Sequence, residues 1–384
     1  MTPRVAVSPI VLEWAADQTD MEPDALYAKF PSWDHWLAGD RQPTLKQLED
    51  LAARAGVPFG YLLLNEPPRL ELPVPDFREG LSGLSPTPSS DLMAVVNQSV
   101  RRQDWYLGFA RDTGLPPVSI VGVGASMNVV DAALTLREAL NFQVEARSGR
   151  WANARKHLVM EFENLGGLTV VTSMVENNTH RLLNPDEFRG FTLIDPLAPL
   201  VFVNAHQTLN GQIFTLAHEF AHVLRGQSGI SAEDPGIQAQ SAVETWCNAV
   251  ASEFLVPGAD LRIRYRRIYH LPLTEQLDIL ARAYRCGTLV VLQAIRHHGL
   301  AEFEDFAATY RAELERLEQF SALPGDSEGG SFYNNQPFRI GDRLSRAIVG
   351  DTLEGRTNFS EALRLMSFKS LSNFDAYAEH LGVR

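Results

Sequence analysis

Cysteine is nearly absent. The two in this 384-residue chain, Cys247 and Cys286, both fall in segments read as helix, so no disulfide framework can hold the fold. Long apolar runs are missing as well. No stretch approaches 18 apolar residues, and the N-terminus lacks the basic, apolar and small-residue succession of a signal peptide. Both absences point to a cytoplasmic protein with no membrane association. Positive charge is in deficit: 34 Lys and Arg face 47 Asp and Glu, a formal charge of −13. Broad electrostatic binding to nucleic acid or anionic lipid is therefore disfavoured, although a local basic patch could still act. No repeat and no long low-complexity tract is present.

The length exceeds one typical domain, and the apolar fraction is ample for two or three cores. Gly- and Ser-rich breakers at residues 80–90 and Ser321–Ser331 suggest flexible connections. The expected parts are a helical module at 1–70, a linker at 71–90, a central domain at 91–258, a helical appendage at 259–320 and a helical module at 332–384. In the central part, helical patterns near 91–113 and 130–165 give way to strand-like runs at 167–175 and 200–204, then to two helices. The expected class is α+β, mostly helical.

The most informative string is His218-Glu219-Phe220-Ala221-His222. On a helix, positions i and i+4 share one face, so two imidazoles can converge on one metal ion with Glu219 beside it. This H-E-x-x-H spacing places a carboxylate to accept a proton from an attacking water. Ile213, Phe214, Leu216, Ala217, Phe220, Ala221, Val223 and Leu224 make the helix apolar on most sides, and Gly226 stops it. Titratable groups inside such a helix are costly to desolvate without a partner, and a divalent cation provides one.

A catalytic site needs a third protein ligand. Val243, Trp246, Val250 and Phe254 recur at helical spacing and Pro257 closes that run. Glu244 and Asn248 share a face of this helix, so Glu244 can reach a metal while Asn248 steadies a ligand from behind. Glu253 is the competing carboxylate, on a face carrying Trp246 and Val250. Cys247 points away from the direction of Glu244, which makes a mixed site with sulfur the weaker choice.

The stretch Phe214-Thr215-Leu216-Ala217-His218-Glu219-Phe220-Ala221-His222, followed by Glu244-x-x-Cys247-Asn248 and Phe254-Leu255-Val256-Pro257, resembles the ImmA/IrrE family of bacterial metallopeptidases. Phe188-Arg189-Gly190-Phe191 and Pro199-Leu200-Val201-Phe202-Val203-Asn204 resemble the strand pair ahead of that family's active helix. Cys247 and Val250 depart from the usual Ala and Phe. The resemblance implies a gluzincin-like endopeptidase that cleaves a transcriptional repressor under stress. His218, His222 and Glu244 would then be metal ligands and Glu219 the general base. Zinc is the default metal for such a set, with manganese or iron as alternatives. His206 and His180 are candidate oxyanion donors. The strand Leu200–Asn204 is either an edge that pairs with an extended substrate or an ordinary core strand.

Within residues 1–70, Val11, Leu12, Trp14, Leu26, Phe30, Trp33, Trp36, Leu45, Leu48, Leu51 and Ala52 suggest one helical core, broken at Asp20, Pro31, Gly39 and Gly56. The piece Trp36–Leu48 resembles an XRE-type helix-turn-helix, and Pro67-Pro68 through Asp76-Phe77-Arg78 resembles the junction between such a module and an ImmA/IrrE peptidase. The segment placed to read a groove, Pro31–Trp36, carries no Lys or Arg. Residues 1–70 hold 6 Lys and Arg against 10 Asp and Glu, a balance of −4. Protein interaction is the preferred role of this module, with DNA left open as a partner. Downstream, Arg262, Arg264, Arg266 and Arg267 with Tyr265 and Tyr269 form a cluster that reads as a nucleic-acid grip or as a solvated helix face. The last block is nearly neutral and names no ligand. Against the peptidase stands one alternative, a DNA-binding or antitoxin-like regulator with a structural metal site.

Overall fold

Proline and capping residues open the first helices. Pro9 and Pro23 start α1 (Pro9–Asp17) and α2 (Pro23–Lys29), where a missing N–H costs no intrahelical bond. After the short α3 (Trp33–Leu37), α4 (Leu45–Ala55) begins with a capping box between Thr44 and Gln47 and ends at Gly56, φ 65°. Val11, Leu12, Leu26, Phe30, Trp33, Trp36, Leu48 and Leu51 share one buried core. Leu45, expected there, is 38% exposed, because it opens α4 outside the stripe of Leu48, Leu51, Ala52 and Ala55.

The computed structural model describes residues 3–19, 21–68, 72–76, 88–147, 149–231, 241–321, 336 and 339–383. Residues 80–87 and 322–331 of the anticipated connections, together with Asp20 and Phe77-Arg78, lie outside that set. The chain divides into two compact units, one of residues 1–73 with 85–97 and one of 74–84 with 98–384. Helix α5 (Ser90–Asp112) contributes residues to both.

In the second unit the expected helical run at 130–165 is two helices, α6 (Val129–Ala139) and α7 (Trp151–Asn164). A 3-10 turn at Val144–Ala146 separates them, together with the left-handed Asn141 and Gly149. Four strands form one sheet: β1 (Leu168–Thr172), β2 (Gly190–Leu193), β3 (Leu200–Asn204) and β4 (Gly229–Ser231), in the order β1-β3-β2-β4. β3 runs parallel to β1 and antiparallel to β2, and β2 is antiparallel to β4. Strand β3 is therefore interior, with both edges bonded and every residue buried. This overturns the edge reading of Leu200–Asn204; its continuous apolar run is that of a strand covered on both faces. The outer edge of β4 carries the segment around Pro75: Ile230 donates its N–H to the Pro75 carbonyl at 3.1 Å, and Asp76 bridges Ile230 in parallel.

Helix α8 (Leu209–Arg225) is capped by Thr208 and ended by Gly226 at φ 76°, the stop read from the sequence. It is buried from Gln212 to Leu224 and packs on α7, β2, β3 and α9 (Ala242–Leu255). Phe220 meets Phe162 of α7 with ring centroids 4.8 Å apart. Truncating either ring to alanine would cost about 3–5 kcal/mol. That packing fixes the height of α8 over the sheet, and so the positions of its histidines.

Four helices follow: α10 (Gly258–Ile268), α11 (Leu273–Tyr284), α12 (Thr288–His297) and α13 (Phe306–Ser321). Cys286, expected in a helix, sits in the turn after α11, where Arg285 takes φ 54°. Both cysteines are free and buried. The chain ends in α14 (Asp342–Leu353), α15 (Phe359–Leu365) and α16 (Leu371–His380). The architecture is α+β and mostly helical, as expected. Among the described residues, no helix is long and apolar enough to cross a membrane.

Candidate metal centre

One turn of α8 aims His218 and His222 at the start of α9. Ser241 sets that start, its Oγ accepting the N–H groups of Val243 and Glu244, so Glu244 enters in the first turn. The three side chains converge. His218 Nε2 lies 3.1 Å from His222 Nε2 and 3.0 Å from Glu244 Oε2, and His222 Nε2 lies 3.0 Å from Glu244 Oε1. All three residues are buried, and among the described residues no fourth His, Cys, Asp or Glu joins them.

The outward atoms of the rings decide what the inward ones are. His218 Nδ1 is 2.9 Å from Asn248 Oδ1, and His222 Nδ1 is 3.2 Å from the Gln227 carbonyl. A carbonyl only accepts, so each Nδ1 carries the proton and each Nε2 turns a lone pair inward. Neither Glu244 oxygen receives a directed hydrogen bond among the described residues. Three side chains thus turn acceptor atoms to one point, where the Ser231 hydroxyl 3.2 Å from His218 Nε2 can supply one proton at most, and a cation satisfies such a set. Burial works against charge on Glu244, but the two facing imidazoles outweigh it and hold its carboxyl at about 2. Without a metal, that requires an inward proton on a ring; a divalent cation takes over the same role. The donor set fits zinc chemistry.

Glu219 sits beside this group. Thr192 of β2 donates its hydroxyl to Glu219 Oε2 at 2.6 Å, while Oε1 has no hydrogen-bond partner among the described residues. Burial pushes the Glu219 carboxyl above its ordinary range, against the influence of His218, His222 and the Thr192 hydrogen bond. Gly190 makes room for it: a Cβ there would stand 2.6 Å from Thr215 Cγ2 and 2.8 Å from Glu219 Oε1.

Residues 163–296 match the IrrE N-terminal-like domain of the Peptidase_M78 family. That family is one of peptidase-type hydrolases, and the matched segment contains the whole cluster. Residues 340–380 match a domain of unknown function, DUF8813. No curated protein and no solved structure matches the chain.

The remaining candidates fall elsewhere. Glu253 is turned to the far end of α9, where both carboxylate oxygens accept from Gly258 N and Oε2 lies 3.5 Å from His298 Nε2. His206 Nδ1 bonds the Leu183 carbonyl at 2.8 Å, and His180 is exposed. Neither bonds to a member of the cluster. In α10, Arg262, Arg266 and Arg267 are exposed, while Arg264 pairs with Asp260 at 2.5 Å. Tyr265, counted as available for stacking, is 8% exposed and packed in the core; only Tyr269 reaches solvent.

Two contacts escaped the sequence reading. Thr192 shares a strand face with Gly190, so the period of two in β2 was the signal for it. Ser231, whose Oγ lies 3.2 Å from His218 Nε2, pairs in register with Gly190 across two strands far apart in sequence, and nothing local marks it.

Proposed function

We propose that this protein is a zinc-dependent endopeptidase. The observation that carries the reading is the inward trio of His218, His222 and Glu244, all acceptors, with the buried carboxylate of Glu219 alongside. When bound, zinc supplies Lewis acidity that polarises a scissile carbonyl and acidifies the attacking water. Glu219 accepts the water proton and passes it to the leaving amine. Its raised proton affinity suits that exchange, since the carboxyl has to hold the proton between the two steps. Thr192 keeps one carboxylate oxygen in place and leaves the other to the water. Asn248 and the Gln227 carbonyl fix the tautomers of the ligands. Manganese or iron would satisfy the same donors.

The substrate in this reading is a partner transcriptional repressor or similar regulator, cleaved in a stress or defence response. The acidic N-terminal unit serves protein recognition, since its short α3 buries Trp33 and Trp36 and the Pro31–Trp36 segment offers no cation to a phosphate. A purely structural metal site is disfavoured, because such sites are closed by four protein ligands and have no use for Glu219. The test mixes the full chain with repressors encoded beside it, with and without chelator, alongside Glu219→Gln. Cleavage that stops with chelator and in the variant supports the proposal; cleavage that persists in the variant, or is never seen, ends it.

A further inference from the structure

A cleft of about 750 Å³ opens between α5, α7 and α14, within the usual range for small-ligand sites. It belongs to none of the elements that form the metal centre. Its aromatic surface is Phe109 of α5, backed by the fully buried Tyr106 with centroids 5.7 Å apart. Trp105 stacks on Phe109 at 5.7 Å and 13°, which holds that ring in one orientation.

Three cations line the same cleft. Lys156 is exposed at the mouth and makes no ion pair among the described residues. Arg343 is anchored by two contacts, Nε to Tyr106 Oη at 2.6 Å and Nη1 to the Glu163 carbonyl at 3.1 Å, while Nη2 makes no hydrogen bond among the described residues. Arg346 is held by Asp342 at 2.7 Å and by the Leu381 carbonyl at 2.9 Å. Two carboxylates also line the cleft, and both are engaged: Asp342 by Arg346, and Glu163 by the Thr169 hydroxyl and the Arg343 N–H. The local balance is positive inside a chain of net charge −13. A fixed phenyl ring and anchored guanidinium groups lining one cleft select for a flat ring and an anionic group in one molecule.

We propose that this cleft binds a small aromatic anion, up to mononucleotide size, and that α14 of the DUF8813 region supplies its charge recognition. The inference stands apart from the peptidase reading, since it uses no residue of the metal centre and is tested by binding alone.

Isothermal titration of the full chain at low salt, with adenosine 5′-monophosphate and with anthranilate, is the experiment. Saturable binding of either is expected, at least tenfold tighter than adenosine or inorganic phosphate, each of which offers half of the required chemistry. Phe109→Ala and Lys156→Glu should each weaken binding at least tenfold, and the exposed Lys156→Glu should do so with an unchanged thermal midpoint. No heat from either aromatic anion overturns the proposal. So does binding that both variants leave intact, or that inorganic phosphate alone reproduces.

Discussion

Glu163 offers a test that needs no substrate. Its carboxyl is 7% exposed, and burial raises it to about 7 against the opposing pull of the Thr169 hydroxyl and the Arg343 N–H. In the unfolded chain the same group ionises near the ordinary glutamate value of 4.5. Between those values the folded protein holds a proton that the unfolded chain has released, so stability falls as pH rises through this window. A gap of about 2.5 pKa units corresponds to roughly 3 kcal/mol once both forms are ionised, of which about 2 to 3 kcal/mol is lost between pH 5 and pH 8. Glu163→Gln cannot ionise and keeps an acceptor for Thr169. Its advantage over the parent should therefore grow by that amount from pH 5 to pH 8, seen as roughly 3 to 6 °C of divergence between the thermal midpoints. Loss of the second acceptor oxygen shifts the variant by a constant that does not depend on pH, so only the slope is diagnostic. Parallel pH profiles for parent and variant would refute the reasoning.

Further outcomes concern the metal centre. Glu244→Ala should purify with little metal by elemental analysis, while Glu253→Ala retains it, because Glu253 serves Gly258 and His298 at the other end of α9. The reverse order would identify the wrong carboxylate. Asn248→Ala should leave the ligands present but weaken metal affinity about 10- to 100-fold in a competition titration, since it frees the His218 ring to turn and to change tautomer. Unchanged affinity would mean that packing alone orients that ring.

The legible part of the site is the part written in short-range spacing. His218, Glu219 and His222 follow one helical turn, and Glu244 with Asn248 repeats that interval on the next helix, so periodicity alone placed them. Thr192 and Ser231 reach the same point through sheet register, which no local pattern encodes, and β4 is too short to show a period of two. The strand Leu200–Asn204 was recognised as a strand, but its place in the interior depends on β1 and β2 bonding to either side. Tyr265 is a different failure. Leu261 and Tyr265 lie one turn apart on the buried face of α10, a stripe that the interleaved arginines mask in the sequence. Cys286 was missed because a left-handed arginine, not glycine, ends the helix before it.

The edge strand β4 has three residues, and the last of them touches the His218 ring. Its free rim already has a tenant: the Pro75 carbonyl takes the Ile230 N–H. Any extended polypeptide that docks there by main-chain pairing must evict that carbonyl first, so its grip on the rim is the difference between two similar bonds and not the full worth of one. Discrimination among visiting peptides then falls to their side chains.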